Sequence, residues 1–155
     1  MARALFLSLV ICAVGAGLEG LFAGSGVKRR LASLRMPAYA APFWGWVIIG
    51  GLYYVICFVI WTRLFLLPNS LARSMTFVLL AKMMFINAFW NYLFFRARHL
   101  QFAYLIGLPY GALALVLFVF LLGLDTTAAW CLSPYMAYLI YGNFWGYRVW
   151  KLNPD

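Results

Sequence analysis

The chain has 155 residues, 67% of them hydrophobic and only 10% Asp, Glu, Lys or Arg, and its mean hydropathy is +0.93. A soluble domain carries about a quarter charged residues to cover its outside, so an ordinary water-solvated fold is excluded and lipid is the expected solvent. Twelve Lys and Arg against three acidic residues give a net charge of +9, but the positives sit in short loops between apolar runs, which fits anionic lipid headgroups and argues against nucleic acid as a partner.

Each membrane crossing needs about 20 mainly apolar residues, and the punctuation by Pro, Gly and charge divides the chain into five. The first span covers about residues 4–22. Its start has one Arg and an apolar stretch like a signal peptide, but Ile11 before Cys12 is too bulky for lipoprotein processing and the apolar run continues to Phe22. A basic connector from Gly24 to Pro42 follows, with room for one helical turn at Arg29 to Leu34. The second span covers about 43–67. The third, about 71–95, is capped by Asn69 or Ser70 and ends at the charged Arg96 to His99 patch. The fourth covers about 100–122. Gly123 and Asp125 turn the chain, and the fifth, capped by Thr126 or Thr127, covers about 126–150 before the polar tail. The prediction is an all-α membrane protein, a five-transmembrane-helix bundle forming one domain over residues 1–155. β-Barrel alternation is absent.

Lys28, Arg29, Arg30, Arg35, Arg96, Arg98, Arg148 and Lys151 fall on one face of such a bundle, and Arg3, Arg63 and Arg73 on the other. The positive-inside bias then puts the N-terminus outside and the C-terminus in the cytoplasm. Cys12, Cys57 and Cys131 form no CxxC pair, His99 is the only histidine, and no metal site, cofactor motif or hydrolytic triad is expected.

A fifth of the chain is aromatic. Trp44, Trp46, Trp61, Trp130, Tyr147 and Trp150 lie near span ends and suit an interfacial belt. Tyr54, Trp90, Tyr138 and Tyr141 lie deeper, where rings either pack helices or line a cavity for a flat apolar ligand. Polar groups in hydrocarbon each need a reason. Glu19 reads either as an interfacial carboxylate paired with a loop arginine or as a proton donor or ligand contact. Lys82, Asn87 and Asn91 fall near one helical face, a stripe expected to point into the bundle, and the asparagines and Asn143 suit inter-helix hydrogen bonds or ligand recognition. Gly20 to Gly24 and Gly107 to Gly111 read GxxxG, a spacing for close helix packing, with homodimerisation as its second use.

Taken together, the first loop LASLRMPAYAAPFW, NAFWNYLFFRAR in the third span and PYMAYLIYGNFWGYRVWKLN in the last resemble the TspO/translocator protein family, the tryptophan-rich sensory proteins also known as the peripheral benzodiazepine receptor family. The family's first loop reads L-x-K-P-x-W-x-P-P-x-W, matched at Leu34, Pro37, Pro42 and Trp44 but with Met36, Tyr39 and Ala41 at other positions. Asn87, Trp90, Phe94 and Phe95 match the third-span motif, with Tyr92 in place of Pro. Pro134, Tyr135, Tyr147, Trp150, Lys151 and Asn153 fit the last span. Gly50 and Tyr138 stand where the family presents indoles, and Gly146 where it has Asn. The resemblance implies a cavity for porphyrins and related tetrapyrroles, sterols or synthetic isoquinolines, often in a homodimer. Carried over with the deep aromatics, the ligand positions are Gly50, Tyr54, Asn87, Trp90, Phe94, Tyr138 and Gly142, with the first loop as lid. A remnant of the sterol-recognition pattern remains at Tyr147 and Lys151.

The expected function is therefore membrane binding or sensing of a flat hydrophobic ligand, a tetrapyrrole, sterol or isoprenoid, without a cofactor and in a bacterial inner membrane. The alternative is an intramembrane isomerase or cyclase with Glu19 as proton donor and aromatic faces steadying the cation. A purely structural partner or transporter subunit is a third reading.

Overall fold

The computed structural model describes residues 1–154, so of the expected tail only Asp155 lies outside it. Among the described residues all regular structure is helical. It comprises α1 (Ala2–Ala23), a short α2 (Val27–Ser33), α3 (Phe43–Leu66), α4 (Leu71–Asn91) running into a π-helical turn (Tyr92–Arg96), α5 (Leu100–Leu124) and α6 (Thr126–Leu152). α1, α3, α4 with its π turn, and α5 are long and apolar enough to cross a membrane. α6 is the longest, at 27 residues, but is less apolar, so length and composition qualify four spans where five were expected.

Helix starts are fixed by polar caps at the bundle end away from the basic connector. Ser70 Oγ accepts from Arg73 N at 3.1 Å and starts α4. α6 is capped by Asp125, whose Oδ1 accepts from Ala128 N at 3.0 Å, and not by the threonines expected there. A carboxylate at a helix N-terminus satisfies a free N–H and also meets the positive end of the helix dipole. Asp125 Oδ2 takes Arg63 Nε at 2.7 Å, tying α3 to the α5–α6 corner. Burial raises the Asp125 pKa, but the Arg63 hydrogen bond and the Ala128 N–H outweigh it and hold the carboxyl below the usual carboxylate range.

The long helices pack in a closed ring, α1 against α3, α3 against α6, α6 against α5, α5 against α4 and α4 against α1, with α5 and α6 making the most extensive pairing. Two buried hydroxyls inside the helices are satisfied locally: Ser8 Oγ donates to Ala4 O and Thr76 Oγ1 to Ala72 O, both at 2.8 Å. Pro134 interrupts α6 and has no N–H to offer Trp130 O, and the neighbouring Ser133 Oγ donates to that carbonyl at 2.8 Å instead.

Several sequence expectations change once the ring is formed. Trp61 is no interfacial belt residue: it is 5% exposed, donates Nε1–H to Met84 Sδ at 3.2 Å and stacks on Phe65 and Phe77. Lys82 faces outward instead of joining the asparagine stripe. Asn91 and Asn143 donate to carbonyls of their own helices, Asn87 O at 3.0 Å and Leu139 O at 2.9 Å. The two GxxxG patterns behave differently. A Cβ added at Gly107 would lie 2.9 Å from Asn143 Oδ1, whereas nothing lies within 4 Å of one added at Gly20 or Gly24.

That contrast is testable. Gly107→Ala should lower thermal stability by about 1 kcal/mol because Asn143 has to leave its hydrogen-bonded rotamer, while Gly20→Ala should leave the melting temperature level or raise it. Equal losses at both sites, by thermal unfolding in detergent, would refute the packing difference.

Candidate functional site

Inside the ring, toward the end closed by α2, lies a cavity of about 160 Å³. Gly50, Asn87, Trp90, Phe94, Tyr138 and Gly142 border it, and so does Glu19. Tyr54 does not: its ring packs edge-on against Tyr53, with centroids 5.1 Å apart, and its hydroxyl reaches Glu19. Tyr147 and Lys151 also lie outside the cavity, where Lys151 Nζ sits 4.0 Å from the Trp150 ring centroid.

Glu19 is held differently from the loop-arginine pairing offered by the sequence. Its Oε2 accepts from Tyr54 Oη at 2.7 Å and from Asn87 Nδ2 at 2.9 Å, so α1, α3 and α4 are joined by one carboxyl. Glu19 lies in the last turn of α1, which ends at Ala23, roughly 6 Å from the connector by helix rise, and Tyr54 and Asn87 reach it from within α3 and α4.

Aromatic rings form much of the wall. Trp90 stacks on Phe94 at 4.9 Å and 17°, in an arrangement set by the π turn, where Ala97 N reaches back to Tyr92 O at 2.8 Å. Tyr110 and Tyr135 share a hydrogen bond of 2.7 Å between hydroxyls. Trp46 and Trp145 approach to 4.5 Å. Two polar atoms in this wall have no partner among the described residues, Trp145 Nε1 and Tyr53 Oη, although each residue is only 2% exposed.

The connector between α1 and α3 is strapped across this end of the bundle. Arg35 N donates to Asn153 Oδ1 at 2.8 Å and Asn153 Nδ2 returns a bond to Arg35 O at 2.9 Å. Tyr141 Oη accepts from Ala41 N and donates to Tyr39 O, each at 3.1 Å. Leu31 of α2 forms part of the cavity boundary beneath. The strap is therefore held by side chains of α6, by Arg30 Nη2 donating to Arg98 O at 3.4 Å, by Trp46 Nε1 donating to Ala41 O at 3.0 Å, and by apolar contact.

A family model described as the TspO/MBR family matches residues 7–151. The chain belongs to the TspO/MBR family. No curated protein matches it significantly. With its apolar helices, this membership makes the chain an integral, multi-pass membrane protein.

In this TspO/MBR protein, Gly50 and Tyr138, the positions where the resemblance drawn from the sequence expects Trp, are flanked by indoles: Trp46 precedes Gly50 by one helical turn and Trp145 follows Tyr138 by two, so both rings keep the cavity face of their helices and sit nearer the strap. Trp46 Nε1–H is spent on Ala41 O at 3.0 Å, whereas that of Trp145 is unspent. Sequence reading missed Trp46, Tyr53, Tyr110, Tyr135 and Trp145 as wall residues. The signal was present in two of the helices, since 46, 50 and 53 and then 135, 138, 142 and 145 repeat at three- and four-residue spacing.

Removing one strap contact should loosen the connector without unfolding the bundle. In Tyr141→Phe, amide exchange at Ala41 should accelerate about five- to tenfold, the scale of one lost hydrogen bond, with α5 exchange unchanged. Unaltered exchange at Ala41 would show that the tyrosine does not hold the strap.

Proposed function

We propose that this TspO/MBR protein is a membrane ligand-binding or sensory protein that holds a flat hydrophobic molecule, a tetrapyrrole, sterol or isoprenoid, among its helices without a covalent step. The observation that carries the reading is the unpartnered Trp145 Nε1–H in an aromatic cavity wall. A buried donor left unpaired costs about 1–3 kcal/mol, and an occupant with a suitably placed acceptor removes that cost while its rings stack on Trp90, Phe94 and Tyr138. With the strap shut the free volume suits one aromatic ring system, and a tetrapyrrole requires the connector to lift as a lid.

In this reading α6 is the fifth span. Its lower apolarity reflects residues such as Tyr135, Tyr138 and Asn143 that border the cavity, and a side chain that faces a cavity need not be lipid-compatible. The eight positives at the connector end face the cytoplasm, the N-terminus lies outside, and the host is a bacterial inner membrane. Homodimerisation through the open surface at Gly20 and Gly24 belongs to the same proposal. Glu19 in the wall beside aromatic faces favours one second reading, an intramembrane isomerase or cyclase, whose mark would be isoprenoid turnover abolished in Glu19→Gln.

Quenching of intrinsic fluorescence by protoporphyrin, with mass spectrometry of co-purifying native lipids, tests the binding role. Saturable quenching should weaken about tenfold in Trp90→Ala, as expected for loss of a stacked ring. Non-saturable quenching in the parent protein, with no co-purifying ligand, would refute it.

A further inference from the structure

The charge pattern of the cavity narrows the chemistry of its occupant, an inference that rests on cavity binding itself. Glu19 is the one acidic residue on the boundary, and no Lys, Arg or His borders the cavity. Its carboxyl is met by neutral groups, the Tyr54 hydroxyl and the Asn87 amide, and it forms no ion pair among the described residues. The same boundary carries the rings of Trp46, Trp90, Tyr138 and Trp145, within 4.5 to 6.5 Å of one another through Trp46–Trp145, Trp90–Trp145 and Trp46–Tyr138. A carboxylate beside electron-rich ring faces, with no protein cation to claim it, is the chemistry that recognises an organic ammonium.

We infer that the cavity selects a lipophilic amine in its protonated form, a flat apolar body carrying one ammonium group that meets Glu19. The hydrocarbon surroundings sharpen this choice, because a lone cation there is costly and a carboxylate partner offsets that cost at short range. The basic residues of the connector end do not claim that carboxylate: Arg96 Nη1 donates to Leu21 O at 3.4 Å, and no ion pair to Glu19 forms among the described residues. Trp145 Nε1–H adds the second element of recognition, a neutral acceptor on the amine's body, such as an ether or carbonyl oxygen.

Three probes of one shape and different charge test the inference: 1-pyrenemethylamine, 1-pyrenemethanol and 1-pyrenecarboxylate, titrated into the purified full chain in a nonionic detergent and read by energy transfer from tryptophan to pyrene. The amine should bind about tenfold more tightly than the alcohol, the scale of a desolvated cation–π contact, and the carboxylate more weakly than either. Glu19→Gln keeps a hydrogen-bonding side chain of the same size and should erase the difference between amine and alcohol. If that variant does not fold, the order of the three probes on the parent protein decides. Saturable alcohol binding with no preference for the amine, or a preference that survives in Glu19→Gln, overturns the ammonium assignment while leaving the cavity-binding role intact. Failure of all three probes to saturate overturns both.

Discussion

Inside a helical bundle in lipid, a polar group must find its partner within the protein or in something the protein holds, and here that constraint shapes nearly every element. Ser8, Thr76, Asn91 and Asn143 turn back to their own helices. Ser133 serves the carbonyl that Pro134 leaves open. Glu19 gathers donors from two other helices and so fixes how α1, α3 and α4 meet. Against this background the buried Trp145 Nε1 and Tyr53 Oη stand out, because both border the same cavity and neither has a partner among the described residues.

The two ends of the bundle are built differently. At the end where α6 begins, Ser70 and Asp125 cap helices and Arg63 locks onto Asp125, giving short corners set by directional bonds. At the other end the long connector is held over the cavity by Asn153, Tyr141 and the apolar side chains of α2 and its flanks. Several of the bonds that hold it come from the same helix, α6, that supplies Tyr135, Tyr138 and Trp145 to the wall. On the proposed binding role, α6 would couple occupancy to strap position, since it contributes to both the wall and the strap.

Much of the architecture was legible because apolar runs, prolines and charge clusters punctuate the chain strongly. The span limits agree with α1, α3, α4 and α5 to within a few residues; of the residues on the cavity boundary, Trp90 and Tyr138 were singled out as deep aromatics, Glu19 and Asn87 as polar groups within apolar spans, and Phe94 through the family resemblance. Pairing was not legible. Nothing in the local pattern around Glu19 distinguishes a loop arginine from Tyr54, thirty-five positions away, and Trp61 near a span end reads as a belt residue until Phe65, Phe77 and Met84 close around it. That Trp46 and Trp145 share helix faces with positions 50 and 138 follows from helix periodicity, but only the folded ring places those two tryptophans 4.5 Å apart.

Indole resonances offer the most direct view of whether this interior receives a guest. The chain has seven tryptophans, with Trp44 and Trp130 on the exterior at 66% and 63% exposure and Trp90 and Trp145 on the cavity wall. In ¹⁵N–¹H spectra of the protein in nanodiscs, added 1-pyrenemethanol should move the Nε1–H signals of Trp145 and Trp90, assigned by Trp→Phe substitution, and leave those of Trp44 and Trp130 in place. Movement of Trp44 and Trp130 with Trp145 unmoved would mean the molecule lies against the outer surface, and the account of a ligand-holding interior would be contradicted.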